Sequence, residues 1–141
     1  SPASQTETEE QDGNILKGMR FLCAEDNELN AEILTELLKI EGAECTICEN
    51  GKRVLETFEQ SVPADYDMIL MDVQMPVMNG YDAARAIRRS LHKQAGTIPI
   101  IAMTANAFSE DIRHSLTAGM NAHIAKPVDM NILVPTMMKY L

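Results

Sequence analysis

Five short apolar runs recur along the chain, each followed by a segment whose apolar residues return every three or four positions. The runs occupy residues 19–24, 44–48, 68–71, 100–103 and 122–125. Runs this short, bounded by Gly, Pro, Asn or Asp, have the length and punctuation of buried strands. The second run is the least apolar, which suits a strand near a sheet edge. Between the runs the spacing predicts helices. Asn27 is placed to cap one with Ile33, Leu34, Leu37 and Leu38 on a single face, and Gly42 closes it. Asn50-Gly51 opens a second, carrying Val54, Leu55 and Phe58, which Pro63 ends. A third follows Gly80 with Tyr81, Ala84, Ile87 and Leu91; Gly96 and Pro99 bracket the turn after it. Phe108, Ile112 and Leu116 mark a fourth, ended by Gly119, and Asp129 caps a last helix running to Leu141. Pro135 falls inside that last helix, where it should remove a hydrogen bond and either bend the axis or delay the start.

Five strand-helix repeats imply an α/β fold, a doubly wound five-stranded parallel sheet with helices on both faces. The common strand order for such a chain is 2-1-3-4-5. With 141 residues and 45% hydrophobic content, one domain with a substantial core is expected. Few aromatics and ten methionines suit an aliphatic, adaptable interior. Residues 1–14 carry four acids, no Lys or Arg, and Ala3 as their one apolar residue. Such a segment buries too little to offset its ordering entropy, so the expectation is a disordered acidic linker at 1–14 and a folded domain at 15–141. With a start at Ser1 rather than Met, the expectation is an excised fragment.

A net charge of −9 excludes nucleic-acid binding through phosphates, which needs a basic surface. No apolar stretch reaches the roughly 18–20 residues of a membrane span, and no signal peptide is visible. Three cysteines are a poor fit to a disulfide framework. Cys45 and Cys48 have the CxxC spelling, but in a strand positions i and i+3 point to opposite faces. Unpaired thiols in a reduced, cytoplasmic setting are therefore expected, within a parent that could itself be membrane-anchored. His92 and His114 read as solvent-facing helix residues.

The chemistry lies at the ends of the runs. Glu25-Asp26 follows the first, Asp72 the third, Thr104 the fourth and Lys126-Pro127 the fifth. In a doubly wound sheet, ligands bind beyond the carboxyl ends of the strands where the strand order reverses, here between the first and third. Topology thus gathers Glu25, Asp26 and Asp72, a carboxylate set suited to Mg²⁺, with Mn²⁺ as its substitute and the backbone carbonyl of Gln74 as a further ligand. Carboxylates this close repel one another unless a cation intervenes, and Lys126 answers that need. Thr104 adds a hydroxyl donor. Phosphoryl transfer relies on positioning and charge neutralisation, and this set offers both, with Asp72 as the nucleophile.

The segments Glu25-Asp26-Asn27, Met71-Asp72-Val73-Gln74-Met75-Pro76-Val77-Met78-Asn79-Gly80, Met103-Thr104-Ala105-Asn106-Ala107 and Ala125-Lys126-Pro127 resemble the response-regulator receiver domains of two-component signalling. The spelling is most similar to receivers of hybrid sensor histidine kinases, and the match covers residues 17–141. The resemblance implies the flavodoxin-like receiver fold and phosphorylation of Asp72 from a partner phosphohistidine. It implies Mg²⁺ held by Asp26, Asp72, the Gln74 carbonyl and, through water, Glu25. It also implies that Thr104 turns toward the phosphoryl group and shifts the face built from the fourth helix, fifth strand and fifth helix. Where the family commonly has an aromatic switch residue, three positions before the lysine, this chain has His123.

The implied partners are a histidine kinase or histidine phosphotransfer protein, as phosphodonor or acceptor. No nucleic acid or membrane contact is expected of this domain, which would be a monomer or weak homodimer. It would catalyse only its own phosphorylation and dephosphorylation. Two other functions compete. A magnesium-dependent phosphatase with an Asp nucleophile, of the haloacid-dehalogenase kind, would want a second acid two residues after Asp72, where Gln74 stands. A phosphorylation-independent interaction module would have lost one of Asp72, Asp26, Thr104 or Lys126, and all four are present.

Overall fold

The computed structural model describes residues 15–105 and 109–141. Five strands and five helices alternate: β1 (Arg20–Ala24), α1 (Glu28–Ile40), β2 (Glu44–Cys48), α2 (Gly51–Gln60), β3 (Met68–Asp72), α3 (Gly80–Arg89), β4 (Ile100–Thr104), α4 (Ser109–Thr117), β5 (Ala122–Ala125) and α5 (Met130–Met138). The strands form one sheet in the order β2-β1-β3-β4-β5, and every pairing is parallel. The expected fold class and strand order both hold, and β2 lies at an edge as its weaker apolar pattern suggested.

Every residue of β3 and β4 is buried, as strands covered on both faces must be. One face packs Phe21, Leu70 and Ile101 against Leu34 and Leu38 of α1 and Leu133 of α5. The other packs Leu22, Ile69 and Ile100 against Phe58 of α2 and Ile87 of α3. Helix starts are set by short polar side chains. The side chains of Asn27, Asn50, Asn79 and Asp129 each accept a hydrogen bond from a backbone N–H two or three residues on, satisfying donors the helix leaves unpaired.

Several boundaries differ from the sequence expectation. β3 and β4 each run one residue further, so that Asp72 and Thr104 are the last residues of their strands. Ladder pairing explains it: Asp72 stands opposite Met103, and Thr104 opposite Ala125. Helix α3 stops before Leu91, because Ser90 caps it, its backbone N–H and its hydroxyl both donating to the Ile87 carbonyl. Leu91 is fully exposed. Ile33 is half-exposed although it shares the spacing of Leu34 and Leu38. Helix α5 begins directly after Asp129, contains Pro135, and ends at Met138 rather than Leu141. Phe108, expected in the fourth helix, lies outside the described residues, as do residues 1–14.

His92 is not a solvent-facing helix residue. It follows the end of α3, packs against Phe58 with ring centroids 4.2 Å apart and the planes tilted by 32°, and its Nδ1 accepts from the Gln94 N–H at 3.0 Å. Its Nε2 lies 3.1 Å from the Ser61 hydroxyl. Arg88 ties the same end of the molecule together. Its guanidinium donates to the carbonyls of Gly119 and Ala95 and to Asn121 Oδ1 at 2.9–3.1 Å.

Candidate functional site

The register of β1 against β3 pairs Ala24 with Met71, so the next residues of the two strands, Glu25 and Asp72, emerge at one level. This is the point where strand order reverses. One carboxylate oxygen from each of Glu25, Asp26 and Asp72 lies within 4.8 Å of the others. Glu25 and Asp72 are each 3% exposed, whereas Asp26 faces solvent. The Glu25 backbone is held by its N–H donating to the Cys48 carbonyl of β2 at 3.0 Å.

Lys126 reaches this group from the end of β5, where its own N–H donates to the Thr104 carbonyl at 2.7 Å. The peptide bond to Pro127 is cis. The ammonium donates to Asp72 Oδ2 at 2.8 Å and to both Glu25 oxygens at 3.0 and 3.2 Å. Glu25 is thus first of all the partner of Lys126, a role its sequence position did not reveal. Burial alone would lower the Lys126 ammonium. The hydrogen bonds and charges of Asp72 and Glu25 outweigh it and raise the group above its ordinary value.

One ammonium does not balance the carboxylates. Burial, and then the neighbouring Glu25, push the Asp72 carboxyl up to about 6 despite the pull of Lys126. A buried acid held partly against its charge, beside two further carboxylates, is an environment that a divalent cation would relieve. The donors are hard oxygens, and one of the three acids is open to solvent, the pattern Mg²⁺ accepts when it keeps several waters.

The loop after β3 turns sharply at Asp72. The Gln74 N–H donates to Asp72 Oδ1 at 3.2 Å, which turns the chain away from the sheet. Val77 then takes a left-handed φ of 68°, and the Met78 N–H donates back to the Pro76 carbonyl at 2.7 Å. Gly80 is required by close approach: a Cβ there would collide with the carbonyl of Asp72 itself. The Asn-Gly spelling therefore has two causes here, Asn79 for the cap and Gly80 for packing onto β3.

An open cleft of 580 Å³, lined in part by Asp26, Gln74, Tyr81 and His114, lies on one side of the carboxylates. His114 stacks on Tyr81 with ring centroids 3.8 Å apart, a contact between α3 and α4 that helical spacing alone could not show. On the other side a cavity of 390 Å³ runs between α1 and the loop after β5, with Ile33, Leu37 and Val128 beside Glu25 and Lys126. Thr104 is buried at the end of β4. His123 is half-buried and lies outside the carboxylate cluster. It pairs with Ala102 and so shares a sheet face with Thr104, one pleat below it on the adjoining strand.

Among the described residues no helix is long and apolar enough to cross a membrane. The chain is 37% identical over 123 residues to hybrid signal transduction histidine kinase I of Dictyostelium discoideum, a match covering 86% of this chain and 7% of that protein. The chain therefore spans only a small part of the length of such relatives. It is similar to the receiver domain of the sensor histidine kinase PA1611 from Pseudomonas aeruginosa PAO1, solved with a magnesium ion coordinated in the active site cleft. That match has a TM-score of 0.77 at 35% identity, over 87% of this chain and 97% of the other. A receiver domain of the response regulator Ssk1 of Saccharomyces cerevisiae, crystallised with the histidine phosphotransfer protein Ypd1, matches with a TM-score of 0.77 at 28% identity, over 86% and 88% of the two chains. The response regulator receiver domain model matches residues 21–137, and the chain belongs to that family of two-component signalling domains.

Proposed function

We propose that this domain accepts a phosphoryl group on Asp72 from the phosphohistidine of a partner protein, and either switches its α4-β5-α5 face or passes the group on. The observation that carries this reading is the buried Asp72 carboxylate at the strand-order reversal, with the Lys126 ammonium 2.8 Å away and two further acids alongside. In the transfer an Asp72 oxygen attacks phosphorus, a P–O bond forms, the P–N bond to the donor imidazole breaks, and the imidazole departs neutral. Lys126 then faces a phosphoryl oxygen in place of the carboxylate charge it now holds. Mg²⁺, when bound, would neutralise charge on the transferring group, with Asp26, Asp72, the Gln74 carbonyl and, through water, Glu25 as its ligands. Positioning and charge neutralisation are what this reaction demands of a protein.

Thr104 and His123 form the proposed switch, supported by their shared sheet face. The apolar walls offered by Ile33, Leu37 and Val128 beside Glu25 suit the helix of a phosphotransfer partner. A cytoplasmic setting, within a longer hybrid kinase, agrees with the free thiols and with the kind of relatives matched. The test is intact mass after incubation with a small acyl phosphate. Wild type should gain the mass of one phosphoryl group only with Mg²⁺ present, and Asp72→Asn should gain none. Equal modification of the variant would overturn the assignment of Asp72.

A further inference from the structure

We propose that Cys23 and Cys45 are an oxidisable dithiol, converted to a disulfide by a hydroperoxide, that forms a second chemical input beside the phosphoacceptor site. The CxxC spelling suggests a different pair. Cys45 and Cys48 belong to opposite faces of the sheet. Cys45 packs with the layer under α1 and α5, while Cys48 lies in the other core, its sulfur 3.6 Å from the Thr57 hydroxyl. The thiol that meets Cys45 comes from β1. Cys45 stands opposite Phe21 and Cys23 opposite Ile47, so the two are diagonal neighbours on one face, with sulfur atoms 3.1 Å apart. Another polar atom near the Cys45 sulfur, the Thr35 hydroxyl, is 4.0 Å away and already donates to the Ala31 carbonyl.

The two thiols differ in the way an attack-and-resolve sequence needs. Cys45 is half-buried on an edge strand, and Cys23 is fully buried behind it. The close contact with the Cys23 sulfur lowers the Cys45 thiol against the opposing effect of burial, and Cys45 is also the more accessible of the two. Cys45 is then the group that ionises and meets the oxidant first. Its thiolate attacks one oxygen of the hydroperoxide; an S–O bond forms, the O–O bond breaks, and an alcohol or water leaves after taking a proton. The Cys23 sulfur next attacks the Cys45 sulfur, losing its proton as the S–S bond forms and the S–O bond breaks with release of water. Two thiols are oxidised and one peroxide bond is reduced.

The bond would join β1 to β2. Diagonal strand neighbours typically lie about 7–8 Å apart at Cα, beyond the roughly 4.4–6.8 Å that a disulfide spans, so closure requires the edge strand to move inward. Strand β2 carries the Cys48 carbonyl that holds the Glu25 N–H, which links this chemistry to the partner of Lys126.

The folded wild-type domain, treated with hydrogen peroxide and then unfolded in alkylating reagent, should lose the mass of two hydrogens and keep one alkylatable thiol out of three. Peptide mapping should join Cys23 to Cys45, dithiothreitol should reverse the change, and Cys45→Ser should abolish it. Oxygen added to Cys45 with Cys23 still alkylatable, a bridge to Cys48, or a link between two molecules would each overturn the proposal. The mapping arm uses wild type alone, so a variant that folds poorly leaves the test standing.

Discussion

Replacing Asp72 by Asn should make the metal-free domain more stable at neutral pH, although it removes a charge-assisted hydrogen bond. Two buried carboxylates share one ammonium here, so one negative charge lacks a balancing partner. The Asp72 carboxyl is pushed up to about 6. Against an ordinary value near ~3.9, that gap corresponds to about 3 kcal/mol for ionising the group inside the fold. Asn removes this cost but leaves Lys126 with Glu25 alone, so the expected gain is roughly 1–3 kcal/mol. The sign follows from proton binding. The folded state holds the proton more tightly than the unfolded one, so wild-type stability falls as pH rises from about 4 through about 6 and stays reduced above that. Urea unfolding in a chelating buffer should therefore show the variant ahead at pH 7.5 and level with wild type near pH 4. Adding Mg²⁺ should reverse the order, because only wild type keeps all three carboxylates for the ion; at a hundredfold excess over Kd the gain is about 2.7 kcal/mol. A variant less stable than wild type at pH 7.5 without metal, or a gain of equal size at both pH values, would refute the charge-imbalance argument.

Three further substitutions probe how the site is held. Gly80→Ala places a methyl group against the Asp72 carbonyl, with Met71 Cγ and Val73 Cα each 2.9 Å away; it should cost about 1–3 kcal/mol in urea melts and slow phosphorylation of Asp72. Arg88→Met removes three hydrogen bonds that join α3 to the segments flanking α4 and β4, and should cost roughly 2–4 kcal/mol by the same measurement while leaving Mg²⁺ affinity unchanged. Lys126→Ala should leave the domain folded and still modified by an acyl phosphate, yet abolish the amide shifts that phosphorylation causes on the α4-β5-α5 face in wild type.

Most of the architecture was legible because strands buried on both faces are written as unbroken apolar runs, and each run ends where polar chemistry begins. Asp72, Thr104 and Lys126 could be placed at strand ends, and with the strand order they could be placed near one another. Ladder pairing shifted those ends by one residue, since Asp72 is bonded into the sheet opposite Met103. Long-range partners were the part that local pattern could not carry. Glu25 read as a carboxylate for a metal, but its two oxygens are held by Lys126, 101 residues away. His92 read as a surface residue because its helix was extended through Ser90; the cap ends that helix and turns the ring onto Phe58. Strand geometry separated Cys45 from Cys48, as the two cores do, but local pattern could not show that Cys45 meets Cys23 on the adjoining strand. Stacking of His114 on Tyr81 depends on how α3 and α4 pack, which periodicity within either helix does not specify.

The central claim is that Asp72 takes a phosphoryl group from a phosphohistidine. Its most direct test is transfer from a phosphorylated histidine phosphotransfer protein, followed by peptide mapping of the modified residue and a check of its lability to hydroxylamine, as an acyl phosphate requires. The account predicts a Mg²⁺-dependent, hydroxylamine-labile phosphoryl group on the peptide containing Asp72, absent from Asp72→Asn. A stable modification on another residue, or transfer that proceeds equally to Asp72→Asn, would contradict it.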